Sequence, residues 1–175
     1  MHIIFCVLGY QFFMCQGILV LSKYNSWSFF IKRQYRLQFH WMFQALALIF
    51  IITGTIIMII EMNQNFNTAH GILALCALIL STLSVLNGFV VQNAKKLSTS
   101  VNTIIFIKIT HYLTGIATLF CAAASLCYGF DKRSFRVWIG NDAAIHALMA
   151  ITWVFTISVS LNFWITSMSR LQHLL

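Results

Sequence analysis

The sequence predicts an all-α membrane protein, an antiparallel bundle of five transmembrane helices. Of its 175 residues, 60% are hydrophobic and only 8% charged, and proline is absent. The mean hydropathy is +0.85, far from that of a soluble domain of this size. Apolar runs recur at a length of about 20 residues, which matches a hydrocarbon core roughly 30 Å thick. Within lipid each backbone polar group must be satisfied inside its own segment, and runs this long exceed barrel strands, so helices are expected.

Five spans follow in order. The first covers residues 2–21 and stops at the loop carrying Lys23, Lys32, Arg33 and Arg36. The second covers 39–60 and ends against Glu61; the third covers 70–91 and ends before Lys95 and Lys96. The fourth covers 108–130, from Lys108 to the loop opened by Asp131, Lys132 and Arg133. The fifth covers 143–165, after Asp142. Nothing of low complexity separates them, so a single domain over 1–175 is expected. The first segment has neither a basic leader nor a small-residue cleavage site, so it reads as a span rather than a signal peptide.

The net charge of +8 lies in short connections, which excludes nucleic acid as the natural partner. Lipid head groups and small anions suit it better. The connection after span one, the connection after span three and Arg170 in the tail together hold eight Lys and Arg; Lys132, Arg133 and Arg136 are the three on the other side. This asymmetry predicts a multi-pass protein with a cytoplasmic C-terminus. Tyr24, Trp27, Tyr35, Trp41, Trp138 and Trp164 suit interfacial anchoring. Cys6, Cys15, Cys76, Cys121 and Cys127 lie in or at the end of apolar runs at no shared spacing, and read as packing residues rather than a disulfide framework.

The chemistry lies in the histidines. His2, His40, His70 and His111 each open one of four successive spans, although imidazole is costly in lipid and is placed there for a purpose. Antiparallel spans put His2 level with His70 at one face and His40 level with His111 at the other. Two imidazoles facing across a bundle can take both axial positions of a haem iron. At helix starts, the dipole would keep them neutral. Gly54, Thr55, Gly71, Gly88 and Gly115 would let helices and a macrocycle approach closely. Arg36 and Lys108, a turn before His40 and His111, could meet propionates. His146, in the first turn of span five, leaves a rival set open; His173 in the tail reads as solvated.

At these residues the sequence resembles the cytochrome b561 family, above all its transmembrane-reductase (ascorbate/ferric reductase) branch of animals. Phe39-His40-Trp41-Met42-Phe43-Gln44 followed by Ala45-Leu46-Ala47-Leu48 is similar to that branch's His-Trp-x-x-Gln-x-x-Ala-Leu stretch. His70-Gly71 with Gly88 resembles the third haem helix, and His111-Tyr112-Leu113-Thr114-Gly115 resembles the His-x-x-Ser/Thr-Gly motif. Span one resembles the first haem helix and span five the final helix.

The resemblance implies a four-helix di-haem core with two haem b, ligated by His2, His40, His70 and His111 and not by His146. It implies an oxidoreductase that moves electrons across the membrane. The donor would be cytosolic ascorbate, bound near Lys32, Arg33, Arg36 and Lys108. The acceptor would be monodehydroascorbate or ferric iron on the opposite side. No residue would act as an acid, base or nucleophile. A homodimer and the choice of organelle stay open. Two departures stand out: Ile3 replaces the family's usual proline after the first histidine, and its first, non-haem helix has no counterpart in the 175 residues. The alternative from another class is a transporter or assembly factor with histidines on a proton or metal path. The lack of intramembrane carboxylates counts against it.

Overall fold

The computed structural model describes residues 1–22, 27–61, 66–97 and 100–172, apart from the side chains at 27, 95 and 169–172. Five helices are long and apolar enough to cross a membrane, as the sequence predicts, and no strand occurs among the described residues. They are α1 (His2–Leu19), α2 (Arg36–Glu61), α3 (Ala69–Leu97), α4 (Val101–Phe130) and α6 (Asp142–Gln172), with a short α5 (Arg133–Ile139) between the last two. Lys23, Tyr24 and His173 lie outside the described residues, as do the side chains of Trp27, Lys95 and Arg170. Tyr35, Trp41, Trp138 and Trp164 are all exposed, as interfacial anchors need to be.

Several helices run past their apolar cores. α4 starts at Val101 rather than near Lys108: Ser100 has extended backbone, and the Ile104 N–H donates to its carbonyl at 3.1 Å. Once started, Ile104-Ile105-Phe106-Ile107 keeps the helix going into the membrane. Lys108 therefore lies two turns inside α4. The connection at 131–142, expected as plain loop, contains α5. Gly140, at φ 66, ends α5 in the left-handed conformation, and its N–H returns to the Arg136 carbonyl at 2.8 Å. The Arg136 guanidinium donates to the carboxylates of both Asp131 and Asp142, so α5 is tied to the end of α4 and the start of α6.

Packing divides the bundle into two hairpins. α1 lies along α2, α3 packs along α4, and α6 covers α4 and the last turn of α1. α2 and α3 meet only sparsely. The first hairpin closes through small residues: a Cβ on Gly9 would stand 2.7 Å from Ile51 Cγ1, and one on Gly17 would stand 3.0 Å from Phe43 Cβ. Such contacts drive helix association where lipid offers no hydrophobic preference. In the middle of α1, residues Leu8–Met14 form a π-helix.

Gly71 is used differently from the expectation that it admits a macrocycle. Phe66 stands before α3 with φ 59, a backbone conformation costly for a non-glycine residue. A Cβ at 71 would meet the Phe66 Cα at 2.8 Å. Replacing Gly71 by alanine is therefore expected to cost about 1–3 kcal/mol through overpacking, read as a lowered unfolding midpoint in detergent.

Candidate functional site

The four span histidines share one local arrangement. Each Nδ1 lies within hydrogen-bond distance of a backbone carbonyl on the other helix of its hairpin. His2 reaches Gly54 at 2.7 Å and His40 reaches Gly17 at 2.6 Å. His70 reaches Ser125 at 2.8 Å and His111 reaches Ser84 at 3.1 Å. A carbonyl only accepts, so Nδ1 must donate and the lone pair is on Nε2. A backbone carbonyl on one ring nitrogen is also the usual support of a metal-bound histidine.

Each hairpin thus exchanges two reciprocal bonds, and the rings face across hairpins. His2 and His70 have ring centroids 6.0 Å apart, and His40 and His111 6.5 Å, with ring planes at 83° and 85°. A metal–imidazole bond of about 2 Å, plus the ~1.1 Å from a ring atom to its centre, would place two imidazoles sharing one metal with centroids roughly 6.2 Å apart. The two observed distances bracket that value. Among the described residues no group of three or more His, Cys, Asp or Glu converges on a metal. The chain therefore presents two nitrogens per centre, which suits a metal whose remaining four positions a macrocycle fills. A cavity of about 610 Å³ adjoins the His2/His70 pair, lined by Tyr10, Thr55, Met58, Phe66, Ala122 and Trp138 among others. That volume is within the range of cofactor sites.

The interval between the tiers is written into the helices. Fourteen residues separate His40 from Gly54, His70 from Ser84 and His111 from Ser125. At 1.5 Å per residue this is about 21 Å. On α1 the interval from His2 to Gly17 is fifteen, and the helix with the extra residue is the one containing the π segment.

The structure brings together His2 with His70 and His40 with His111, as the topology argument expects. The placement of all four at helix starts does not hold. His40 lies in the second turn of α2 and His111 in the third turn of α4, beyond the reach of a helix-end dipole. The carbonyl bond, common to all four, sets the tautomer instead. His146 is exposed on α6, and the ring contact at that tier is between His2 and His70.

Lys32 and Arg33 are exposed ahead of α2, and half-buried Lys108 is one turn before His111. Arg36 is engaged with the backbone. Its guanidinium donates to the carbonyls of Ser22, Ser28 and Ile31 at 3.0, 3.0 and 3.2 Å, which holds the connection between α1 and α2.

Sequence reasoning missed Gly17, Ser84, Ser125 and Gly129. A Cβ on Gly129 would stand 3.1 Å from His70 Cε1, while one on Gly88 would stand 3.5 Å from His111 Cε1. In the second hairpin a serine supplies the carbonyl and a glycine four residues later clears the ring. The legible signal was the repeated Ser-x-x-x-Gly at 84–88 and 125–129. Lys132, which the sequence presents only as a loop cation, donates from Nζ to Thr68 Oγ1 at 3.4 Å on the rim of the cavity.

A helical membrane bundle with two pairs of facing imidazoles, each of one set tautomer, has the donor set of a bis-imidazole haem protein. The sequence matches the family described as eukaryotic cytochrome b561 over residues 1–136, and the chain belongs to that family. The match covers the four helices that carry His2, His40, His70 and His111. No curated protein and no solved structure matches the chain. Family membership makes it an integral membrane oxidoreductase that binds haem b and transfers electrons across the membrane.

Proposed function

We propose that the chain conducts single electrons between two haem b centres, one held by His2 and His70 and the other by His40 and His111. The observation that carries this is the repeated Nδ1–H to carbonyl bond on rings that face each other 6.0 and 6.5 Å apart. Haem held by these histidine pairs would supply a reversible one-electron couple.

The protein residues do the rest. The four histidines ligate through Nε2, and the carbonyls of Gly17, Gly54, Ser84 and Ser125 hold the rings against rotation. Lys32, Arg33 and Lys108 draw an anionic donor, ascorbate, to the His40/His111 end. Arg36 holds the connection that presents Lys32 and Arg33. By the distribution of basic residues this end is cytoplasmic. The His2/His70 end then delivers electrons to monodehydroascorbate or ferric iron. Histidines on one continuous proton or metal path fit less well, because the rings gather in two pairs a fourteen-residue interval apart.

Protein purified in detergent after haem-sufficient expression is expected to hold two haems per chain, with a low-spin b-type spectrum reducible by ascorbate. A colourless protein, or a ratio of one, would overturn the two-centre reading.

A further inference from the structure

Tyr10 is buried to 5% exposure in the interior of the bundle. Tyr10 is in the π segment Leu8–Met14, eight residues after His2 and seven before Gly17, halfway between the two tiers. An extra residue in an α-helix turns everything beyond it by about 100°, which would carry the Gly17 carbonyl away from His40. The π turn absorbs the insertion and keeps both ends in register.

Its neighbours give Tyr10 two faces. Toward the first tier it lines the cavity beside His2 and His70. Toward the second tier its hydroxyl adjoins Ser81, one turn before Ser84, whose carbonyl receives His111. The Ser81 hydroxyl already donates to the Ala77 carbonyl at 2.6 Å. Gly9, pressed against Ile51 and the Ala47 carbonyl of α2, fixes the π segment from behind. The two hairpins also approach each other where this segment meets α4.

We infer that the π segment exists to seat Tyr10 between the two haem centres, and that its aromatic ring couples them for electron transfer. One electron leaves the ferrous centre of one tier and reaches the ferric centre of the other; Tyr10 itself gains or loses neither electron nor proton. This inference rests on the two-centre reading above, and haem content tests that reading separately.

The test compares wild type, Y10F and Y10L in detergent. The haem-to-protein ratio is measured first, then the rate of equilibration between the haems after rapid reduction of one. All three proteins are expected to hold two haems. Y10F, which keeps the ring, should equilibrate at the wild-type rate. Y10L should equilibrate at least about tenfold more slowly. Should Y10L lose a haem, Y10M replaces it, because methionine fills irregular gaps without an aromatic ring. A wild-type rate in the non-aromatic variant, or an equal loss in Y10F, would overturn the inference. A wild-type ratio other than two would instead remove the reading beneath it.

Discussion

Replacing His111 by alanine is expected to remove one haem, leave the other, and stop reduction by ascorbate. The variant loses the Nε2 that faces His40 and the Nδ1 bond to the Ser84 carbonyl. One imidazole cannot hold the centre that two held. His2 and His70 keep their carbonyl bonds to Gly54 and Ser125, so the other centre persists. The haem-to-protein ratio should fall from two to one, and the initial rate of ascorbate reduction by more than about tenfold. Replacing His70 by alanine should give the same haem ratio with a different kinetic outcome. The remaining haem would be the one nearest Lys32, Arg33 and Lys108, and ascorbate should still reduce it. Equal ascorbate kinetics in the two variants would show that the donor does not arrive at the His40/His111 end.

The second large effect is expected at a residue that carries neither charge nor side chain. Replacing Gly129 by alanine puts a methyl group 3.1 Å from His70 Cε1 and 3.3 Å from Nδ1. The ring is held on that side by the Ser125 carbonyl at 2.8 Å, and the Ser125 hydroxyl adds a contact at 3.2 Å to Nδ1 and donates to the His70 carbonyl at 3.0 Å. It can yield only by weakening those bonds and turning away from His2. Haem affinity at that tier should drop about 10–100-fold, the usual cost of losing a supporting contact behind a metal ligand. Haem titration of the variant should show one tight and one weakened site. Gly115 provides the control: an added methyl there meets only Ser84 Oγ at 3.7 Å, an ordinary contact. Replacing Gly115 by alanine should leave both sites intact, and a matching loss in the two variants would argue against ring displacement as the cause.

The contrast between these glycines shows where sequence reasoning ran out. Gly115 stands four residues after His111, inside the segment that resembles a family motif, and so invited weight. Gly129 stands far from any histidine in sequence and becomes important only because α4 runs antiparallel to α3. The same holds for Ser84 and Ser125, whose backbone carbonyls act here. A carbonyl is present at every position, so no residue type could advertise its role. α5 was missed for a related reason: seven residues between charged turns resemble a loop until Gly140 and the Asp131–Arg136–Asp142 contacts close them. The charge of Lys108 argues for an interface and so for a helix start. The apolar run ahead of it, Ile104 to Ile107, kept the helix continuous through that position.

By itself, the sequence determined the helical membrane class, the five spans and the two histidine pairs. Each of these follows from properties read along one dimension. Hydrophobic length matches bilayer thickness, and successive short connections force alternating directions, so position along a span sets depth. What only the tertiary structure decided was the protonated nitrogen of each imidazole, the facing of the rings, and the residues that hold them. It also decided the use of the extra residue in α1, taken up in a π turn around Tyr10. Those features depend on rotation about each helix axis and on contacts between residues as far apart in sequence as His40 and His111. Uniform apolar composition leaves such rotation undetermined, because in lipid almost any face of these helices is acceptable until a neighbour packs against it.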